Sequence, residues 1–321
     1  MNNLINMARH IPVNQTVPAV SISQVTLPSD TRLLPLELRV TAPITGDGLA
    51  VILLSHGHGP SLYLPSKDGY GPLVNFLAEH GFVVIQPTHL NSKVAGLDAE
   101  APGGPLFWRS RTEDMTLILD RLDDIETQVP FLAGRIDHSK VGAVGHSLGG
   151  HTIGLLLGAR VSDPEIDGAG TDMSDRRIKA GVLLAPPGSG GKDLSEFAAA
   201  HYPALGLDFA HMHTSALVVV GDNDVSPHLT IRGADWHADP YHRSPGTKSL
   251  LTLIDGKHGL GGIAGYDAAE TQDENPDRLA AVQRLAWAYL RSELYSDDSA
   301  WQSACTALAL HASALGHIEH R

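Results

Sequence analysis

The sequence predicts an α/β fold, a mostly parallel central sheet flanked by helices and opened by an antiparallel N-terminal hairpin, and three observations lead there. Short apolar runs recur at residues 50–55, 82–86, 141–144, 180–184, 216–220 and 249–254. Runs with no polar alternate residue fit strands buried on both faces of a parallel sheet. Segments with helical spacing lie between them, and strand alternating with helix means crossover connections. Several of the runs lead into glycine-rich loops, where open α/β sheets build their ligand sites.

Taken in order, residues 1–18 are polar and proline-containing and read as a flexible arm, ahead of one domain over 19–321. Segments 21–27 and 33–40 flank Pro28-Ser29-Asp30 and predict the hairpin. Helices are predicted over 71–80, 109–129, 148–159 and 276–294, with a last amphipathic helix over 301–315. In the second of these, Met115, Ile118, Leu119, Leu122, Ile125 and Val129 keep helical spacing. Two stretches, at about 91–108 and 186–214, read as loop insertions following predicted strands. Long loops in that position are commonly functional or lid-like.

Composition narrows the partners. A net charge of −13 argues against nucleic acid or an anionic membrane, since both call for a basic surface. No run approaches the roughly 20 apolar residues of a membrane span, and the N-terminus lacks the apolar core of a signal peptide. A cytoplasmic location and a small-molecule partner are therefore expected, with no oligomeric state specified. The single cysteine, Cys305, excludes an intramolecular disulfide and reads as a packed thiol in a helix.

The chemistry concentrates in four loops. Gly145-His146-Ser147-Leu148-Gly149-Gly150 follows a predicted strand and opens a predicted helix. That context is what a G-x-S-x-G nucleophile turn requires, with Ser147 raised above the sheet at a helix N-terminus. Ser55-His56-Gly57-His58-Gly59 follows the first apolar run. A loop so placed supplies one backbone donor to an oxyanion and the residue after the nucleophile supplies the other, which makes His58 and Leu148 the candidates. Past a late strand, Asp222 and Asp224 compete as the acid that orients a histidine. Asp224 is favoured because it sits deeper in the loop, whereas Asp222 suits the turn. His258 follows the final apolar run in a glycine-flanked loop, and the order Ser147, Asp224, His258 is nucleophile, acid, base.

Around these, Gly57, Tyr63, His146, Pro186 and Trp236 are candidates for the pocket edge by position, and Trp108 is either a pocket wall or a core anchor. His56 with His58, and His211 with His213, have chelating spacing but no nearby third ligand. With 18 histidines such pairs arise by chance, so no metal and no cofactor are expected.

The ordered set resembles the α/β-hydrolase superfamily, and within it the dienelactone-hydrolase-like esterases and relatives such as chlorophyllases, platelet-activating-factor acetylhydrolases and polyester-hydrolysing cutinases. The resemblance rests on LLSHGHG (53–59), GFVVIQPTH (81–89), WRSRTED (108–114), GHSLGG (145–150), GDNDVSP (221–227) and GKHG (256–259), and spans about residues 20 to 295. It implies the α/β-hydrolase fold and ester cleavage by a Ser-His-Asp triad through an acyl-enzyme, without a cofactor. Dienelactone hydrolases proper use a cysteine nucleophile and this chain has Ser147, which argues against dienelactone itself as substrate. Lipase, thioesterase and acyltransferase chemistry use the same site and stay open as alternatives. A non-catalytic binding module that has kept the fold is the remaining one. A triad of this kind predicts activity that rises with pH as its imidazole loses a proton, near ~6.5 for an ordinary histidine.

Overall fold

A computed structural model describes residues 4–161, 170–265 and 273–321. The chain forms strands β1 (Ala19–Leu27), β2 (Leu36–Pro43) and β3 (Leu49–Ser55), helix α1 (Gly71–Glu79), β4 (Val83–Pro87), α2 (Trp108–Asp120) and α3 (Leu122–Gln128). It continues through β5 (Ile136–His146), α4 (Leu148–Leu156), β6 (Arg160–Val161), β7 (Ile178–Leu184), α5 (Glu196–His201), β8 (Leu207–Asp208) and β9 (Ser215–Gly221). It ends with α6 (Asp239–Arg243), β10 (Lys248–Leu253), α7 (Pro276–Leu294), α8 (Ala300–His311) and β11 (Gly316–His320).

Nine strands make one sheet in the order β1-β2-β4-β3-β5-β7-β9-β10-β11. The six central strands, β4 to β10, pair in parallel, and the antiparallel pairs lie at the edges. The N-terminal hairpin β1-β2 is antiparallel, as the sequence predicts.

The apolar runs follow from burial on both faces. In β3, Ala50, Ile52 and Leu54 enter one core with α1, α7 and α8, while Leu49, Val51 and Leu53 enter another with α2, α3 and α4. β9 divides in the same way, with Leu217 and Val219 on one side and Ala216, Val218 and Val220 on the other. Each strand therefore needs apolar residues at consecutive positions, which is the pattern in the sequence.

Connections from β3 run outward in opposite directions, to β4 on one side and later to β5 on the other. The carboxyl ends of β3 and β5 thus form the topological switch point, where a crevice opens in sheets of this kind. Ser55 and Gly145 are register partners there, so the loops after them start side by side.

The structure differs from the sequence reading at several elements. The 109–129 helix divides into α2 and α3 at Arg121, whose φ of −123° leaves the helical range. Leu122 and Ile125 still enter the same core as Met115 and Ile118, which is why the period reads as continuous. Residues 186–214 are not one irregular loop; they contain α5 and β8, which pairs with β6. The last helix ends at His311, and the polar Gly316–His320 pairs with β10 as an edge strand. Cys305 is half-buried on α8, and burial pushes its thiol up to about 11. No described helix is long and apolar enough to cross a membrane.

Within the segment read as an arm, the N–H groups of Asn6, Met7 and Ala8 donate to the Asp277 carboxylate at 2.9–3.0 Å. Ala8 and Ile11 are fully buried against α7 and α8. Asp277 sits in the first turn of α7, where Asn275 caps the helix by accepting from the Asp277 and Arg278 N–H groups. Asp277→Ala removes the acceptor for three donors at once. We expect faster limited proteolysis between residues 4 and 18 and a stability loss of about 1–3 kcal/mol by urea unfolding; unchanged cleavage would show that the carboxylate does not hold the segment.

Candidate active site

Ser147 links β5 to α4 with φ 55° and ψ −120°, a conformation that costs a residue with a β-carbon roughly 1–3 kcal/mol. The turn is that tight because its glycines touch other backbone. A β-carbon on Gly145 would lie 2.1 Å from the Gly149 carbonyl oxygen, and one on Gly149 would lie 1.9 Å from that of Ser55. The Ser147 N–H donates to Leu184 O of β7 at 2.9 Å, which seats the turn on the next strand. Ser147 is half-buried, and Leu148 follows as the first residue of α4.

Asp224 and His258 meet because β9 and β10 are parallel neighbours and their following loops touch. Gly221 and Gly256 leave no room for a side chain, since a β-carbon on Gly221 would lie 2.1 Å from Gly256 O. The Asn223 N–H donates to that same oxygen at 2.9 Å. In this arrangement the His258 Nδ1–H donates to Asp224 Oδ2 at 2.9 Å. Asp224 is buried and Asp222 is exposed, so of the two competing acids only Asp224 faces the imidazole. Burial alone would raise the Asp224 carboxyl, but the His258 hydrogen bond and the neighbouring imidazoles hold it below the ordinary carboxylate value. The side chain of His258 keeps about a third of its surface exposed.

His146, expected at the pocket edge, is buried and belongs to a strut behind it. The carbonyl of His258 can only accept, so His146 Nε2–H donates to it at 2.8 Å. His146 Nδ1 then accepts from the Tyr70 hydroxyl at 2.8 Å, and Tyr70 Oη accepts from the Gly57 N–H at 3.0 Å. One hydrogen-bonded chain with a single direction therefore runs from the loop after β3 to the backbone of His258. Burial, then the His258 charge, pull His146 down to about 3, so it stays neutral and keeps this tautomer.

Arg111, fully buried on α2, sets the aim of the 55–58 loop. Its guanidinium donates to His56 O, to Gly57 O at 3.3 Å and to Ser55 Oγ at 3.0 Å. Asn91 Nδ2 donates to His58 O at 2.7 Å. In a trans peptide the C=O and the following N–H point in opposite directions. Holding His56 O and Gly57 O toward Arg111 therefore turns the Gly57 and His58 N–H groups the other way. The Gly57 N–H reaches Tyr70; among the described residues, the His58 and Leu148 N–H groups find no protein acceptor. A β-carbon on Gly57 would lie 3.6 Å from Ser147 Cβ, so the loop passes close to the serine. Burial pulls Arg111 down to about 9, with Asp114 opposing it, and it remains a cation at neutral pH.

The other expected pocket residues are placed as follows. Gly57 is buried beside Ser147. Tyr63 stands in solvent, 94% exposed. Trp236 and Pro186 are both buried. Trp236 is fully buried and donates through Nε1 to Ser189 O at 2.9 Å. Pro186 O accepts from His237 Nδ1 at 2.7 Å. Trp108 begins α2 half-buried, packed on the cluster of Leu106, Leu148, Leu194 and Trp236. The sequence reading missed Tyr70, His89, Asp114 and His237 and gave Arg111 no role. For Arg111 and Asp114 a signal existed, since both fall at helical spacing on the face of α2 that carries Met115 and Ile118. Nothing local marks Tyr70 or His237, whose partners are remote in sequence.

Comparison with protein-family models finds no match for the chain, and comparison with curated proteins finds none.

Two measurements test the electrostatics. Arg111→Ala strips the donors from several buried acceptors and is expected to cost about 3–5 kcal/mol in urea unfolding. Arg111→Lys should recover little of that, because one ammonium cannot reproduce the planar fork. For Asp224, a carboxyl whose folded pKa is depressed adds stability that is present above its unfolded pKa and lost as pH falls through the folded one. The stability gap between wild type and Asp224→Asn should therefore shrink as pH drops below about 4; a gap independent of pH would show that the fold does not lower this carboxyl.

Proposed function

We propose that this chain is a serine hydrolase of carboxylic esters, built as a member of the α/β-hydrolase superfamily, with Ser147 as nucleophile, His258 as base and Asp224 as orienting acid. One observation carries the reading: the His258 Nδ1–H donates to Asp224 at 2.9 Å, which fixes the tautomer whose proton-accepting lone pair is on Nε2. Support comes from the strained turn at Ser147 and from two backbone donors, at His58 and Leu148, beside it.

In this mechanism His258 Nε2 takes the Ser147 proton as Oγ attacks the ester carbonyl. The tetrahedral oxyanion accepts from the His58 and Leu148 N–H groups, whose aim is set before substrate arrives. On collapse the C–O bond to the alcohol breaks, and His258 returns its proton to the leaving oxygen. Water then gives a proton to the same nitrogen and attacks the acyl-enzyme, and the acid leaves as Ser147 recovers its hydrogen. Asp224 stays ionised throughout and stabilises the imidazolium. Arg111, Tyr70 and His146 are positioning residues, because they act through the backbone of the two loops.

A fluorophosphonate probe tests the nucleophile. Wild type should label on Ser147 and Ser147→Ala should not; equal labelling of the two would move the chemistry elsewhere. With p-nitrophenyl acetate, Ser147→Ala and His258→Ala should lose at least ~10³-fold in kcat. Asp222→Asn should stay within about twofold of wild type, since its side chain lies in solvent.

A further inference from the structure

We propose that Asp224, His237 and His258 together bind a transition-metal dication of the zinc class, and that its occupancy switches off the base at His258. The three ligand atoms, Asp224 Oδ2, His237 Nε2 and His258 Nδ1, lie within 4.8 Å of one another. The second observation is at His237. Its Nδ1–H donates to Pro186 O at 2.7 Å, and a carbonyl can only accept, so the neutral ring directs the Nε2 lone pair into the cluster. That nitrogen is buried and has no hydrogen-bond partner among the described residues, although Asp224 Oδ2 is 3.4 Å away. Burial is the main cause that lowers His237 below the ordinary imidazole value, which favours the lone-pair form.

The Asp224–His237 spacing suits an ion better than a hydrogen bond. Two ligands at ~2.0–2.1 Å from one tetrahedral zinc stand about 3.3 Å apart, off the line that joins them. The Asp224–His237 pair already has that separation, and the Asp224–His258 pair at 2.9 Å must widen by a few tenths of an ångström. Two imidazoles and one carboxylate select zinc-like ions over magnesium or calcium, which prefer all-oxygen sets.

The consequence for the base follows from proton counting. Metal on Nδ1 moves the His258 ring proton to Nε2, with none gained or lost. A protonated Nε2 cannot accept from Ser147, so hydrolysis stops until the ion leaves. This switching effect rests on the proposed triad; binding of the ion does not.

Asp123, Glu126 and His138 form a second close group on the surface and must be removed from the measurement. The test uses the full chain carrying His138→Ala. Zinc binding is read by competition with a chromogenic chelator, and p-nitrophenyl acetate turnover is followed at buffered free zinc. The expected result is one zinc per chain, at least a tenfold fall in turnover and recovery with EDTA. Adding His237→Gln should raise the zinc required by tenfold or more. No stoichiometric binding, or zinc sensitivity unchanged by His237→Gln, would overturn the site. If His237→Gln does not fold, zinc-edge X-ray absorption on the His138→Ala chain decides, with two imidazole ligands supporting the site and none refuting it. Stoichiometric zinc binding lost in His237→Gln, combined with turnover that ignores zinc and survives Ser147→Ala, would keep the ion site and remove the hydrolase reading.

Discussion

The site depends first on backbone crowding where β3 and β5 end. Gly149 lies so close to the Ser55 carbonyl that any β-carbon there would overlap it, at 1.9 Å. This contact fixes how α4 departs from β5, and with it the φ and ψ of Ser147 and the aim of the Leu148 N–H. It also fixes where the loop after Ser55 starts, because Ser55 and Gly145 are register partners. Two loops remote in sequence are thereby held as one rigid unit at the switch point of the sheet. The roughly 1–3 kcal/mol of strain at Ser147 is sustained because the surroundings leave no relaxed alternative. The Ser147 N–H is bound to β7, and Leu148, Ile153 and Leu155 bury the helix that follows.

Much of this was legible in the sequence, for a physical reason. A strand buried on both faces is apolar at most positions, so β3, β4, β7, β9 and β10 announce themselves as runs, and the loops at their carboxyl ends follow. Asn275-Pro276 marks the start of α7 through cap chemistry, and its predicted limits match the structure. β11 was missed because an edge strand such as Gly-His-Ile-Glu-His has no buried run to display. α5 and β8 were missed because two or six residues carry too little period to be seen. Within the site, the sequence order identified loops, but it said nothing of which residues buttress them. Tyr70 reaches His146 across 76 positions, and no local pattern encodes such a meeting. His146 and Trp236 are buried, which packing decides and no local pattern reveals.

Burial also distinguishes the proposed Ser147, His258 and Asp224 from a second serine, histidine and aspartate nearby. The Ser55 hydroxyl lies 3.0 Å from His89 Nε2, and His89 Nδ1 lies 2.8 Å from Asp114 Oδ2. That is a serine, a histidine and an aspartate linked in the order a hydrolase uses, yet all three are at most 2% exposed. No acyl group reaches Ser55, whose oxygen also accepts from Arg111, and Asp114 is tied to Arg32 at 2.7 Å. A buried cation such as Arg111 is costly unless every donor finds a partner. The Ser55–His89–Asp114 array helps meet that need, and so holds in place the guanidinium that turns the His56 and Gly57 carbonyls. What sets Ser147 apart from Ser55 is its setting. Ser147 has positive φ, partial exposure and unpaired backbone donors beside it, whereas Ser55 ends an ordinary strand inside the core. The buried array braces the loop from behind.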